Sequence, residues 1–214
     1  MNMVNANDRL ANIAQIVQRC PTITLRRAFV RALRQWCQET RWLRTAISGA
    51  TTVDTRVYSL GTDPYMDIVG VFAVQGSLTT GGNTQEWALR VSDPSQWDPN
   101  IPAAQPMRYA YVAEGQFAVD PVPDQVYQLL VSAIVQPKED AVNIPEAPLL
   151  KHSNEIEAGA LAYLLNIPGQ KWTNPALAQT WSRVFRSGIS NGKAEVQRAF
   201  NNGSVRARSR NFVR

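Results

Sequence analysis

Residues 159–178, GALAYLLNIPGQKWTNPALA, join a run of small and apolar residues to a Pro-Gly pair and then to an Asn-Pro pair. Pro168 and Gly169 predict the end of a helix, because proline lacks a backbone donor and glycine readily adopts the backbone that closes helices. Asn174 is typical of a helix N-cap, and Pro175 suits the first helical position, where a missing N–H costs nothing. The stretch therefore predicts the bend of a helical hairpin.

Both helices of this hairpin have an apolar stripe at helical spacing. The first helix is expected to run to about Asn166. The two stripes comprise Ile156, Gly159, Ala160, Tyr163 and Leu164 before the bend, and Leu177, Trp181, Val184, Phe185, Gly188, Gly192, Val196 and Ala199 after it. Gly188 and Gly192 each cost about 1 kcal/mol relative to alanine in a helix interior. Two interpretations are open: a kink or a helix break near Gly188, or close approach of another helix or subunit to a surface without Cβ atoms.

The N-terminal region predicts two more helices. Asp8 is a candidate cap for a short first helix, which ends before Pro21 because proline disfavours helical geometry in the residue before it. The second helix begins near Thr24 and has the strongest helical period in the chain. Its apolar residues are Leu25, Ala28, Phe29, Ala32, Leu33, Trp36 and Cys37. The other sides of this helix carry four arginines, which we call the predicted basic face: Arg26, Arg27, Arg31 and Arg34.

From about Thr45 the pattern changes to short β-type segments separated by glycine and proline. The predicted strands are Thr52–Leu60, Asp67–Gln75, Gln85–Val91, Met107–Val112, Gln116–Val119 and Val126–Val135. The last of these is apolar on nearly both faces, which is typical of a central strand. Helix signals return at residues 143–145.

This order of segments predicts an α+β fold. Residues 1–44 and 138–200 would form one helical domain, a bundle of N- and C-terminal helices, with residues 45–137 as an inserted antiparallel β domain. Residues 201–214 lack apolar periodicity and predict a flexible basic C-terminal arm. Six residues are expected to pack helices or subunits together, with Trp172 at the bend of the hairpin: Trp36, Gly159, Trp172, Trp181, Gly188 and Gly192.

The net charge of +5 is distributed unevenly along the chain. Residues 1–44 carry a net charge of +6, residues 45–182 carry −8 and residues 183–214 carry +7. Such asymmetry predicts complementary partners for separate surfaces, or head-to-tail contact between copies of the chain. Cys20 and Cys37 have no metal-ligand spacing and fit reduced thiols in a protein that is not secreted. No apolar segment approaches the roughly 18 residues of a membrane-spanning helix, so no membrane partner is expected.

The residues that enzymes use for catalysis are sparse in this chain. His152 is the only histidine, and it fits a surface residue at a helix start better than a general base. Asp120 and Asp124 adjoin prolines and suit turns better than a carboxylate pair. The glycine-rich residues 79–84 lack the lysine and following helix of a phosphate-binding loop. We therefore predict that the chain is not an enzyme and uses no cofactor or metal.

Three segments resemble one protein family. They are ALRQWCQETRWLR at residues 32–44, PMRYAYVAEGQFAVDPVPD at residues 106–124, and IEAGALAYLLNIPGQKWTNPALA at residues 156–178, the most specific of the three. The chain resembles the head-to-tail adaptor, or connector, proteins of tailed bacteriophages, including the tail tubular protein A type of short-tailed phages. The resemblance covers roughly residues 20–200.

This resemblance implies a structural virion protein at the head-to-tail junction, assembled in the host cytoplasm. Such adaptors form dodecameric rings that dock to the portal protein, extend the channel for genomic DNA without sequence-specific binding, and offer a platform to tail nozzle or tail tube proteins. The β domain would then lie toward the ring periphery or the tail. The C-terminal arm would reach the portal through Arg206, Arg208, Arg210, Phe212 and Arg214.

Two other function classes remain open at this stage. A nucleic-acid-binding module would use the basic helix and the C-terminal arginines on phosphate groups, with steep salt dependence. A carbohydrate-binding tail component would use aromatic residues of the β domain, namely Trp87, Trp97, Tyr109 and Tyr111. The same arginines also suit docking on an acidic protein surface.

Overall fold

The structure is a computed structural model that describes residues 2–61, 64–113 and 115–200. Within those ranges the α-helices are α1 (Ala11–Ile16), α2 (Thr22–Thr40), α3 (Ala147–Leu165) and α4 (Pro175–Phe200), and two short 3-10 helices span Ala6–Arg9 and Pro94–Gln96. The strands are β1 (Met3–Asn5), β2 (Arg44–Ala50), β3 (Val57–Ser59), β4 (Met66–Thr80), β5 (Asn83–Val91), β6 (Arg108–Ala113), β7 (Gln116–Asp120), β8 (Gln128–Pro137) and β9 (Asn143–Pro145). The α+β class is confirmed. The division into a helical and a β domain stays a prediction, and the C-terminal arm lies outside the described residues.

Helix α2 forms where the apolar period predicts it. Pro21 precedes it in extended geometry, and Arg41 ends it in the left-handed conformation, where its N–H donates to the carbonyl of Cys37 at 2.9 Å. The predicted apolar residues are all buried, together with Val30 and Thr40. Helices α2, α3 and α4 pack against one another around this buried face.

The bend between α3 and α4 is confirmed, and its local hydrogen bonds explain its shape. The Asn174 side chain accepts from the Leu177 N–H at 3.1 Å, which caps α4 as the sequence predicts. Gly169 has a φ of 74°, a conformation that favours glycine. The Thr173 hydroxyl donates to the carbonyl of Ile167 at 2.5 Å and accepts from the Gln170 N–H at 3.0 Å. These contacts hold the loop in one tight turn.

Helix α4 continues as one α-helix from Pro175 to Phe200. The interpretation of a helix break near Gly188 is therefore wrong. The alternative, in which another helix approaches the glycines closely, is developed below from the contacts of Gly188 and Gly192.

The seven-stranded sheet has the order β2-β8-β4-β5-β6-β7-β3 and is mixed, which corrects the prediction of an antiparallel domain. Strands β5 and β6 run parallel, with Arg90 opposite Arg108 and Val91 opposite Tyr109. Residues 92–107 connect them, and this exceeds the dozen or so residues that a parallel crossover needs. Residues 128–134 of β8 are paired on both sides, by β2 and β4, as the apolar pattern predicts.

Two boundaries of secondary-structure elements were predicted wrongly, because the strands concerned pair with segments that are distant in sequence. Residues 143–145 form β9 rather than the start of a helix, and they pair with β1 at the N-terminus, with Met3 opposite Pro145. Strand β2 precedes the predicted strand Thr52–Leu60, of which only Val57–Ser59 is extended in the sheet. Strand β2 has little apolar pattern of its own, and its pairing with β8 holds it in place.

The sheet curls until its two edge strands face one another. Residues of β2 and of the β3 segment line one cavity of about 120 Å³, over a floor of Phe117, Leu129 and Val131. The concave face carries a core to which most strands contribute: Val74, Leu89, Tyr109, Phe117, Val119, Leu129 and Val131. Farther along the same face of β8, Ala133 and Val135 join the core that contains α2. The helices therefore pack on the concave side of the sheet.

Candidate assembly surfaces

An open cleft on the helical side of the molecule is lined by most of the arginines of the predicted basic face. It has a volume of about 850 Å³. We call it the arginine cleft, and its lining residues are Arg27, Arg31, Arg34, Glu139, Asp140 and Tyr163. Three of the four predicted arginines thus share one surface, whereas Arg26 is half-buried and lies outside the lining. Sequence periodicity found the arginines but not the two carboxylates, which a loop after β8 contributes.

The arginines of the cleft differ in how firmly they are held. Arg34 Nη1 donates to Asp67 Oδ2 at 3.0 Å and to the carbonyl of Pro137 at 2.6 Å, so this side chain is fixed against the sheet. The Arg31 guanidinium lies 4.4 Å from the ring centroid of Tyr163, a cation–π contact. Arg27 and Arg31 are exposed, and among the described residues neither forms an ion pair. Their charges are available to a partner.

The glycines of α3 and α4 lie where helices approach most closely. A Cβ atom at Gly188 would lie 2.5 Å from the Cβ of Glu155, and one at Gly192 would lie 2.8 Å from Cγ2 of Thr40. A Cβ at Gly159 would lie 2.8 Å from the ring of Phe185. Each contact is with another helix of the same chain, so the small residues permit close helix packing.

Replacing Gly188 with alanine should destabilise the protein although alanine is the better helix former. The new methyl group would meet the Cβ of Glu155, which is anchored to the α3 backbone. Overpacking costs about 1–3 kcal/mol, and this exceeds the gain of about 1 kcal/mol in helix propensity. Urea denaturation measures the difference. The matched control is Ser187→Ala on the exposed face of α4, which should be neutral or slightly stabilising; a stabilised Gly188→Ala variant would contradict the close approach.

The buried centre of the helical layer is aromatic, and it overturns the prediction for His152. This histidine is buried rather than exposed. Its ring centroid lies 4.7 Å from that of Trp36 and 6.0 Å from that of Trp42. Its Nε2 lies 3.2 Å from Oε2 of Glu195. The backbone at His152 also leaves helical geometry (φ −124°, ψ 24°), which a sequence pattern does not reveal.

Glu195 joins α3 to α4 through two partners on one turn of α3. Lys151 Nζ donates to Glu195 Oε1 at 2.6 Å, and the His152 ring contacts the second oxygen. The hydrogen bond from Lys151 is the main cause that lowers the pKa of Glu195 below its usual value. These two contacts link α3 to α4.

The tryptophans after the bend are half-buried. Trp172 and Trp181 both pack against the core that contains α2, and their indole rings cover its edge. Trp172 follows the turn formed by residues 167–170, at the place where the sequence predicts a packed residue.

Replacing Trp172 with alanine should lower the melting temperature by several degrees. Removal of a half-buried indole is expected to cost about 2 kcal/mol, below the 3–5 kcal/mol of a fully buried one. For a chain of this length each kcal/mol corresponds to about 2–4 °C. Differential scanning calorimetry of Trp172→Ala and of the exposed neighbour Lys171→Ala separates packing from a general effect of mutating the loop. Equal melting temperatures would refute packing by Trp172.

Asp120 is a buried charge that the sequence predicted as a turn residue. It is fully buried, accepts a hydrogen bond from Arg108 and lies 3.4 Å from Arg56 Nη2. The Arg56 guanidinium also lies 5.7 Å from the ring of Trp97. This charged cluster connects β7 with β6 and with the segment before β3. Buried charges require such partners, which is why the role is structural. Asp124 accepts from the Tyr127 hydroxyl at 2.6 Å, within the turn predicted for it.

The four aromatic residues considered for carbohydrate binding are packed or hydrogen-bonded within the fold and do not form an exposed platform. Trp97 and Tyr109 are buried. Trp87 Nε1 donates to the carbonyl of Pro106 at 2.8 Å, and the Tyr111 hydroxyl donates to the carbonyl of Ile68 at 3.2 Å. Their placement removes the support for a carbohydrate-binding function.

The described residues give no support for a metal site, a membrane-spanning helix or a reactive thiol at Cys37. In residues 2–61, 64–113 and 115–200 no three histidine, cysteine, aspartate or glutamate side chains are grouped as metal ligands. None of the helices in this part of the chain combines the length and apolar character of a membrane span. Burial strongly raises the pKa of the Cys37 thiol, so this cysteine is chemically inert in the folded chain.

The described residues thus provide closely packed helices, a buried carboxylate held by arginines and an open cleft lined by arginines. A model of the SU10 adaptor protein family matches residues 3–209. Since this match covers nearly the whole chain, the chain belongs to the SU10 adaptor family, a family of phage head-to-tail adaptors. No curated protein matches the chain. The head-to-tail adaptor resemblance is confirmed, and the narrower tail tubular protein A type stays a prediction.

Membership in this family has direct consequences for location and partners. It implies a structural component of the virion at the junction of head and tail, in contact with portal and tail proteins. The family is one of structural proteins, which agrees with a chain that is not an enzyme.

Proposed function

We propose that this chain forms a dodecameric ring that docks to the portal, extends the DNA channel and provides a platform for tail nozzle or tail tube proteins. The observation that carries the proposal is the family match over residues 3–209. Assembly takes place in the host cytoplasm, and genomic DNA passes through the ring without sequence-specific binding.

The proposed ring uses different parts of the chain for different contacts. The bundle of N- and C-terminal helices builds the ring, and the residues 45–137 lie toward its periphery or the tail. The arm at residues 201–214 reaches the portal through its basic and aromatic residues, Arg206, Arg208, Arg210, Phe212 and Arg214. Uneven charge supports this arrangement, since head-to-tail contacts join two different surfaces of one subunit.

Sedimentation with portal rings encoded by the same phage genome tests the proposal. The expected result is a shift of the portal rings to a saturating complex with one adaptor per portal subunit. A variant that ends at Phe200 should bind more weakly, because it lacks the basic arm. No shift for the full chain, together with strong salt-dependent binding to DNA, would favour a nucleic-acid-binding module instead.

A further inference from the structure

The loop between β5 and β6 begins with an exposed acidic segment that local hydrogen bonds hold in place. Residues 92–100, which we call the acidic knob, carry Asp93 and Asp98, both exposed. Asp93 Oδ1 accepts from the Ser95 N–H at 2.9 Å, and Asp98 Oδ1 accepts from the Asn100 N–H at 2.9 Å. Each carboxylate is therefore held in place by a backbone N–H of the loop, and both carboxylates are exposed to a partner.

A buried tryptophan anchors this knob. Trp97 lies between the two aspartates in sequence, and its Nε1 donates to Ser92 Oγ at 3.1 Å. The hydrogen bond from the Ser95 backbone is the main cause that lowers the pKa of Asp93 below its usual value. A preordered loop loses little conformational entropy when it binds, which favours its use as a docking element.

The acidic knob and the arginine cleft lie on opposite faces of the curled sheet. Trp97 packs with Ala110 and Ala118 on the convex face, since the neighbours of these alanines belong to the concave core. The helices that form the cleft pack on the concave face, against Ala133 and Val135. Contact between knob and cleft therefore joins two copies of the chain. A contact between two different surfaces repeats from copy to copy and closes into a ring when the rotation permits.

The composition of the cleft favours a protein loop over nucleic acid. Glu139 and Asp140 line it together with the arginines, and they would repel a phosphate backbone, which carries a charge at every nucleotide, more strongly than a loop with two separate carboxylates. A protein loop offers carboxylates to Arg27 and Arg31 and backbone N–H groups to the two acidic side chains. The cleft volume of about 850 Å³ is large enough for several side chains of such a loop.

We propose that the arginine cleft of one copy receives the acidic knob of the next, so that Asp93 and Asp98 pair with the exposed guanidinium groups of Arg27 and Arg31. This inference rests on the proposed assembly of the chain into a ring and names the surfaces that build it.

Charge reversal and charge exchange test the contact directly. Sedimentation velocity over a range of concentrations compares the full chain with Arg31→Glu, Asp98→Arg and the chain that carries both changes, each alone and mixed with portal rings. Each single reversal should weaken association between copies at least about tenfold, because like charges then face one another. The double variant should recover most of the lost affinity between copies, since opposite charges again face one another at every interface.

Two further variants separate the contact from folding effects. Asp98→Asn keeps the side-chain oxygen that accepts from Asn100 but removes the charge, and it should weaken association severalfold. Arg183→Glu changes an exposed arginine of α4 outside the cleft, and it should leave association unchanged.

The outcomes distinguish this contact from the adaptor function. If the full chain saturates the portal and all variants load and associate like it, the contact is refuted while the adaptor function stands. A double variant no better than the single ones also refutes the contact. If Arg31→Glu loses DNA binding but keeps association between copies, the cleft faces DNA and the proposal is wrong. A chain that is monomeric alone and does not load on the portal overturns both.

Discussion

Replacing Trp36 with alanine should lower the free energy of unfolding by about 4 kcal/mol, since loss of a fully buried tryptophan costs about 3–5 kcal/mol. Trp36 is 0% exposed. Its ring contacts Trp42 and His152, and a Cβ at Gly192 would lie 3.1 Å from its Cζ2 atom. One side chain thus joins α2, α3 and α4, and its removal leaves a cavity that all three helices border. Urea denaturation at constant protein concentration measures the loss.

The matched control for this cavity is Trp36→Phe. Phenylalanine keeps a ring between the helices, so the expected loss is about 1–2 kcal/mol. The melting temperature should follow the same order, with a drop of about 10 °C for the alanine variant. A loss below about 1 kcal/mol for Trp36→Ala would show that the helices do not depend on this contact.

Replacing Asp120 with alanine should cost about 2–3 kcal/mol, less than the 3–5 kcal/mol of a fully buried ion pair, because the side chains of Arg56 and Arg108 stay 30% and 34% exposed to solvent. Asp120 is 0% exposed and accepts from Arg108. Arg56, the second partner, also lies against Trp97. The change is therefore expected to loosen the acidic knob as well as the β6–β7 pair. Chemical denaturation measures the first effect, and hydrogen exchange in residues 92–100 measures the second.

Two variants show whether charge or shape carries the Asp120 effect. Asp120→Asn keeps the shape and one acceptor, so it should lose less stability than alanine. Asp124→Asn changes a nearby carboxylate of the exposed turn and should cost under about 1 kcal/mol. If Asp120→Ala and Asp124→Asn were equally mild, the buried cluster would not stabilise the fold.

The helices could be predicted because their causes are local. The apolar spacing of α2 follows from 3.6 residues per turn, and the cap at Asn174 needs only the N–H groups of the next turn. The strands were harder. Residues 143–145 form strand β9 because they pair with β1 at the N-terminus. A segment of three residues is too short for its sequence pattern to predict such a partner.

The candidate site was predicted only in part. Arginine spacing on α2 predicted a basic face, and three of its members line the cleft. Glu139 and Asp140 reach the same cleft from the loop after β8, more than a hundred residues away in sequence. Asp120 was predicted as a turn residue because its sequence neighbours include prolines, whereas its partners Arg56 and Arg108 come from other segments.

The sequence by itself determined the α+β class, the positions of the long helices, the hairpin bend and the resemblance to phage adaptors. The class, the helices and the bend follow from the spacing of residues that are close in sequence. The resemblance follows from short segments that are compared residue by residue. Only the tertiary structure decided the mixed, curled sheet, the burial of His152 and Asp120, and the placement of knob and cleft on opposite faces of the sheet. The physical reason is that strand pairing, burial and charge compensation depend on residues that are distant in sequence and meet only when the chain has folded.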